Sequence, residues 1–241
     1  MARAPLVETV SAPFTGFGPG ALPFLEGLAA NQTRDWFLEH RPMFERDLRG
    51  PLGALVEALA FAFAAHDIPL TGTAKGSLFR MNRDIRFSKD KRPYKTNAGA
   101  TMTRDGVKMS NGLLYIQVGG EDGSMMAAGF YAAEPKDLAT LRQAIAADPE
   151  HWLGLESRLA DAGLALSMGE GLTRMPRGFE HLASSPAANA LKLRHLVVSR
   201  PITPERLADT ALVDDIAGFT AEALPLLRFG WRALDRARAQ A

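Results

Sequence analysis

The chain of 241 residues contains no cysteine. That absence excludes disulfides, thiol catalysis, cysteine-held iron–sulfur clusters and Cys-type zinc sites. Neither charge sign is in real excess: 28 Lys and Arg stand against 27 Asp and Glu, a formal balance of +1. A near-neutral total argues against a uniformly basic nucleic-acid coat protein. Long apolar runs are missing too. The longest, Leu55 to Ala65, is interrupted by Glu57 and falls far short of a bilayer span, so it reads as a buried helix. Met1 to Val10 holds a single Arg and no apolar core of secretory length. The expectation is a cytoplasmic protein with no membrane partner.

Catalytic and cofactor signatures are equally scarce. The five His (His40, His66, His151, His181 and His195) show no metal-ligand spacing, so no metal site and no cofactor are expected. There is no phosphate-binding Gly-x-x-x-x-Gly-Lys-[Ser/Thr] loop and no Gly-x-Ser-x-Gly nucleophile elbow. Ser88, beside Lys89, reads as a turn-capping residue before it reads as a nucleophile.

What is present is a chain with 46% hydrophobic residues, enough for one substantial core. Leu22, Leu25 and Leu28 mark a helix over Ala21–Ala30. Thr33 caps a second helix carrying Trp36, Phe37, Phe44 and Leu48, which Gly50-Pro51 is expected to end. A third then runs from Pro51 to about His66. From Leu78 to Tyr131 the pattern turns strand-like, with turn signals at Asp105-Gly106, Asn111-Gly112 and Gly119 to Gly123. Leu113 to Val118 and Met125 to Tyr131 read as two arms of an antiparallel hairpin. Helices return after Glu134-Pro135 and Asp148-Pro149-Glu150, with candidate strands at Leu164 to Ser167 and Leu193 to Ser199. Thr203-Pro204-Glu205 opens a last helical region, with a break or kink expected near Pro225. This order points to an α+β fold: a single domain with an antiparallel sheet and helices mainly on one face. Residues 1–13 read as a tail, 14–230 as the domain, and 231–241 as a basic helix end.

The near-neutral total conceals a segregation. Gly72 to Lys108 holds ten Lys and Arg against three Asp, a local balance of +7. The remaining 18 cations and 24 acids balance at −6. Such a segment gathers anionic ligands even on a neutral molecule. Read as a strand, Leu78 to Phe87 places Phe79, Met81, Ile85 and Phe87 on one face and Arg80, Asn82, Asp84 and Arg86 on the other. Arg83 falls on the apolar face, where a guanidinium needs a partner or an open cleft. Arg80 and Arg86 match the oxygens of phosphate or carboxylate. Asp84 between them either holds these forks or accepts a proton as the one candidate catalytic group. The following loop adds Lys89, Lys91, Tyr94 and Lys95, donors and a ring that suit a phosphate-bearing ligand or a single strand of nucleic acid. A solvated basic loop paired with acids elsewhere is the competing reading. Arg34 and Arg41, two helical turns apart, join the same site if their shared face meets the basic strand; otherwise they pair with Asp35, Glu39 or Glu45.

The stretch Arg80-x-x-Arg83-Asp84-x-Arg86-Phe87-Ser88-Lys89-Asp90-Lys91-x-Pro93-Tyr94-Lys95-Thr96 resembles the signature of the domain-of-unknown-function 2461 family of bacterial and fungal proteins. Phe14-x-Gly16-Phe17, Leu22-x-Phe24-Leu25, Asn31-x-x-Arg34-x-Trp36-Phe37, Arg41-x-x-Phe44-Glu45 and Pro176-Arg177-Gly178-Phe179 agree with it, over roughly residues 14–230. Phe44 stands where the family usually has Tyr, and Ser184-Ser185-Pro186 replaces a His-Pro-like step, which weakens any catalytic His there. The resemblance implies a shared fold and a shared site, and carries no activity with it.

Three functions remain in view. The first is binding, with or without catalysis, of a small anionic ligand, phosphorylated or not, in a concave pocket. The second is a nucleic-acid-binding module with Tyr94 against a base. The third is a protein-interaction domain in which the motif is an internal network, with Arg83 and Asp84 buried and mutually paired.

Overall fold

The computed structural model describes residues 13–84, 86, 91–167 and 171–240. Four strands, β1 (Asn97–Thr103), β2 (Leu113–Gly119), β3 (Ser124–Phe130) and β4 (Leu196–Ile202), form one antiparallel sheet in sequential order. The expected hairpin is β2 and β3, in register with Tyr115 opposite Ala127 and Gln117 opposite Met125. Alternation along each strand sends Ala98, Ala100 and Met102, then Leu114, Ile116 and Val118, into the core. Helices α1 (Ala21–Ala30), α3 (Arg41–Ala65) and α6 (Leu212–Ala239) pack against β2, β1 and β3. Between them lie α2 (Arg34–Glu39), α4 (Pro135–Ala147) and α5 (Pro149–Asp161). This is the expected α+β architecture with helices mainly on one face.

Thr33 caps α2 by accepting the Trp36 N–H, and Asp148 caps α5 by accepting the His151 N–H. Pro225 lies inside α6, which runs on through the expected break. Of the two later candidate strands, only the second becomes β4; Leu166 makes a single bridge to Val198. Helix α3 is long and apolar enough to cross a membrane by composition, yet Leu52, Leu55, Val56, Leu59 and Phe63 on it are buried in the core.

The expected stop at Gly50-Pro51 is absent, and the reason is specific. Residues Phe44–Arg49 form a widened π turn, in which the Gly50 N–H donates to the Glu45 carbonyl. A Cβ on residue 50 would sit 2.8 Å from that oxygen, so glycine permits the closure. Pro51 has no N–H to offer the carbonyl four residues back, that of Asp47. That carbonyl instead accepts the Gly18 N–H at 3.0 Å. The helix therefore passes its proline because the N-terminal loop supplies the missing donor.

Asp47 holds that loop twice. Its side chain is buried, takes the Gly20 N–H and is gripped by Arg46 through Nε at 2.8 Å and Nη2 at 2.6 Å. The Arg46 hydrogen bonds hold its carboxyl below the ordinary value of 3.8, against the opposing effect of burial. Glycine at 18 and 20 is required by this approach, since a Cβ would lie 2.3 Å and 2.2 Å from the carboxylate oxygens.

Two stability outcomes follow from these contacts. A depressed carboxyl contributes stability above its unfolded pKa and loses it as pH falls through the folded one. Asp47→Asn should therefore cost about 1–2 kcal/mol at neutral pH, with the gap to wild type closing below pH 3.8 in acid-unfolding curves. A gap that is constant with pH would remove the charge from this account. Gly230 lies on α6 where a Cβ would meet the buried Phe130 ring at 2.2 Å. Gly230→Ala should lower the melting temperature, because overpacking costs about 1–3 kcal/mol against about 1 kcal/mol of helix propensity gained.

Candidate functional site

Of the strand expected over Leu78 to Phe87, the described residues Leu78 to Asp84 form none, and Ile85 and Phe87 lie outside the described residues. Leu78 bridges Ala100 and the Phe79 N–H reaches the Gly99 carbonyl, so the chain begins along the outer edge of β1. It then leaves the sheet and pairs with itself: the Arg83 N–H donates to Pro93 O and the Lys95 N–H to Met81 O, both at 2.8 Å. Crowded cations and the missing N–H of Pro93 give the sheet edge no ladder to extend. Asn82 opposite Tyr94 closes the loop that carries the charged motif.

Tyr94 fastens this loop to the helices. Its ring is buried and stacked on Phe37 of α2, with centroids 4.9 Å apart and planes at 6°, while its N–H donates to Gln32 Oε1 at 2.9 Å. The ring expected to meet a base is therefore committed to the core. Asp84 and Arg86 form an exposed bidentate pair, Nε–Oδ1 3.0 Å and Nη2–Oδ2 2.7 Å. Those hydrogen bonds hold the Asp84 carboxyl below its ordinary value. A carboxylate so engaged orients Arg86 and is a poor proton acceptor. Arg83 is half-buried, and Asp84 pairs with Arg86 rather than with it. Lys91 is exposed, and Lys89 lies outside the described residues.

Where the loop meets α3, a groove of about 630 Å³ opens. Its apolar floor includes Phe37, Phe44, Leu78 and Met81. Its charged lining is Arg41, Glu45 and Arg49 from α3, with Lys75 and Arg80 from the facing segment. The π turn lies along this wall. Glu45 is shared between Arg41 at 3.7 Å and Arg49 at 2.9 Å, one helical turn to either side. Four cations thus face one carboxylate. Among the described residues no carboxylate lies within ion-pairing distance of Lys75 or Arg80. Of the two expected helical cations, Arg41 joins Arg80 here and Arg34 is absent from the lining. They share no helix, because α2 ends at His40, whose ring stacks on Trp36 at 3.9 Å.

Phe79 divides this groove from a second cluster on the sheet face away from the helices. Its ring meets Tyr115 edge-on at 6.3 Å and carries the Lys95 and Lys108 ammonium groups at 4.9 Å and 5.0 Å from its centroid. Lys108 also donates to the Leu78 carbonyl. Burial, then the charges of Arg80, Arg83 and Lys108, pull the Lys95 ammonium below its ordinary pKa. Beside them Tyr115 lies over Gly99 and bonds Gln117 Oε1 at 3.1 Å.

Lys75 and Arg49 line the groove and Lys108 lies in the adjoining cluster, places that reasoning from sequence did not single out. Lys75 and Lys108 sat inside the +7 segment, and Arg49 completes an Arg-Glu-Arg series at positions 41, 45 and 49. A smaller cavity of about 250 Å³ lies near Trp231, and Arg104 in it is already held by Asp235 at 2.8 Å and 2.9 Å. Among the described residues no group of acids and histidines is placed to hold a metal ion.

The exposed Asp84–Arg86 pair yields a clear expectation. Asp84→Asn should leave the melting temperature within error of wild type, since surface pairs contribute little. A marked fall would restore the reading of the motif as an internal structural network.

No curated protein and no solved structure matches the chain. A family model described as a conserved hypothetical protein matches residues 20–229, which span the helices, the sheet and the groove just described. The chain therefore belongs to the DUF2461 family.

Proposed function

We propose that this protein binds a small anionic, phosphate-bearing ligand in the groove between α3 and the segment from Ala74 to Asn82. The observation that carries this reading is the convergence of Arg41 and Arg49 with Lys75 and Arg80, from separate parts of the chain, around one cavity. A volume of about 630 Å³ suits a small metabolite. The single carboxylate of the lining is engaged by two guanidiniums, which leaves Lys75 and Arg80 to meet an anion. An aromatic floor under a cationic rim accepts a phosphate together with the apolar part of its carrier.

The nucleic-acid reading loses its aromatic contact with the burial of Tyr94. The remaining cations of the motif still favour phosphate over a neutral ligand. No side chain lining the groove is poised as a nucleophile beside a base, so binding is the core of this proposal and a reaction is not assigned.

Calorimetric titration at low salt with phosphate, pyrophosphate, sugar phosphates and mononucleotides tests it. At least one should bind, and Arg80→Gln and Lys75→Gln should each weaken it about tenfold or more, the worth of a charge-assisted hydrogen bond. Binding by none of them, or equal binding by wild type and both variants, would overturn the proposal.

A further inference from the structure

Cations lie close to Phe79 on both of its sides. Phe79 lines the groove, and its ring lies within about 5 Å of both the Lys95 and the Lys108 ammonium groups. Arg80 lines the same groove and is close enough to Lys95 to act on its charge. Resting on the groove reading above, we propose that the ligand is a linear oligophosphate, with one phosphate in the groove at Lys75 and Arg80 and the next held by Lys95 and Lys108 beyond the Phe79 ring.

The electrostatics of the ligand-free protein argue for a second phosphate. Lys95 is partly buried beside Arg80, Arg83 and Lys108, all of its own sign. Among the described residues neither Lys95 nor Lys108 has a carboxylate within ion-pairing distance, and the Phe79 ring is their shared contact. Such crowding costs stability in the free protein and is relieved when an anion enters. Thr101, on the same face of β1 and opposite Tyr115, adds a buried hydroxyl with no hydrogen-bond partner. A compact monoanion fills one half of this arrangement and leaves the other half repulsive. A base-bearing strand finds little to stack on, since Tyr94 is buried and Phe79 already carries two ammonium groups. A bare phosphate chain satisfies both halves.

The test is calorimetry with orthophosphate, tripolyphosphate and a short oligouridylate on wild type, Arg80→Gln, Lys95→Gln and Lys108→Gln, with melting temperatures of each ligand-free protein. Tripolyphosphate should bind wild type at least tenfold tighter than orthophosphate. Each lysine variant should lose about tenfold for tripolyphosphate and nothing for orthophosphate, the worth of one charge-assisted contact. The ligand-free lysine variants should melt above wild type, because a repulsive charge is gone. Unchanged tripolyphosphate affinity in the lysine variants, with loss in Arg80→Gln, would overturn this inference and leave the groove reading standing. A fall in ligand-free melting temperature would assign the lysines to the fold and overturn it as well. Tighter binding of oligouridylate than of tripolyphosphate would replace the phosphate chain by nucleic acid. No phosphate binding by wild type would remove the groove reading itself.

Discussion

The ten cations from Gly72 to Lys108 cannot enter the apolar core with the rest of their segment, because desolvating unpaired cations costs more than packing returns. The fold is organised around that constraint. The chain meets the edge of β1 through Leu78 and Phe79, turns out into a loop closed by Asn82 and Tyr94, and then enters the sheet as β1 itself. One buried ring, that of Tyr94, ties the loop to α2. The cations stay at the rim, where the wall of α3 meets them. Part of the charge is neutralised locally, as in the exposed Asp84–Arg86 pair. Lys75 and Arg80 face the groove, and Lys95 and Lys108 lie against the Phe79 ring beside it.

The wall itself depends on a second economy of backbone groups. Pro51 leaves the Asp47 carbonyl without its helical donor, and the Gly18 N–H replaces it. The same aspartate's carboxylate binds Gly20. The N-terminal loop, the π turn and the continuity of α3 are therefore one arrangement. It sets Arg41, Glu45 and Arg49 along one side of the groove. Stability and site geometry are linked here through a residue that touches no proposed ligand.

Much of the architecture was legible in local sequence. The hairpin of β2 and β3 followed from Asn111-Gly112, the glycines between 119 and 123, and apolar alternation. Helix α1 and the capped starts of α2 and α5 followed from periodicity and from Thr33 and Asp148. The misses share a physical cause: each depended on a partner distant in the chain. Gly50-Pro51 reads as a stop unless Gly18 is known to satisfy Asp47. Leu78 to Phe87 alternates like a strand, but Pro93 and the crowded cations deny it an extended partner. Tyr94 reads as an exposed donor until Phe37 and Gln32 are found beneath it. The charge segregation marks the segment that borders the groove, while the positions of Lys75, Lys108 and Arg49 beside it follow only from tertiary contacts. Arg34 fell away because the helix breaks at His40, between it and Arg41.

The functional reading rests on the convergence of Lys75 and Arg80 on one groove, where they would hold an anion. A crystal structure of the protein with pyrophosphate tests it most directly. The anion should sit between the Lys75 ammonium and the Arg80 guanidinium, with Glu45 still bonded to Arg49. An anion seated instead on Asp84–Arg86, or in the cavity beside Trp231, with the groove empty, would contradict it.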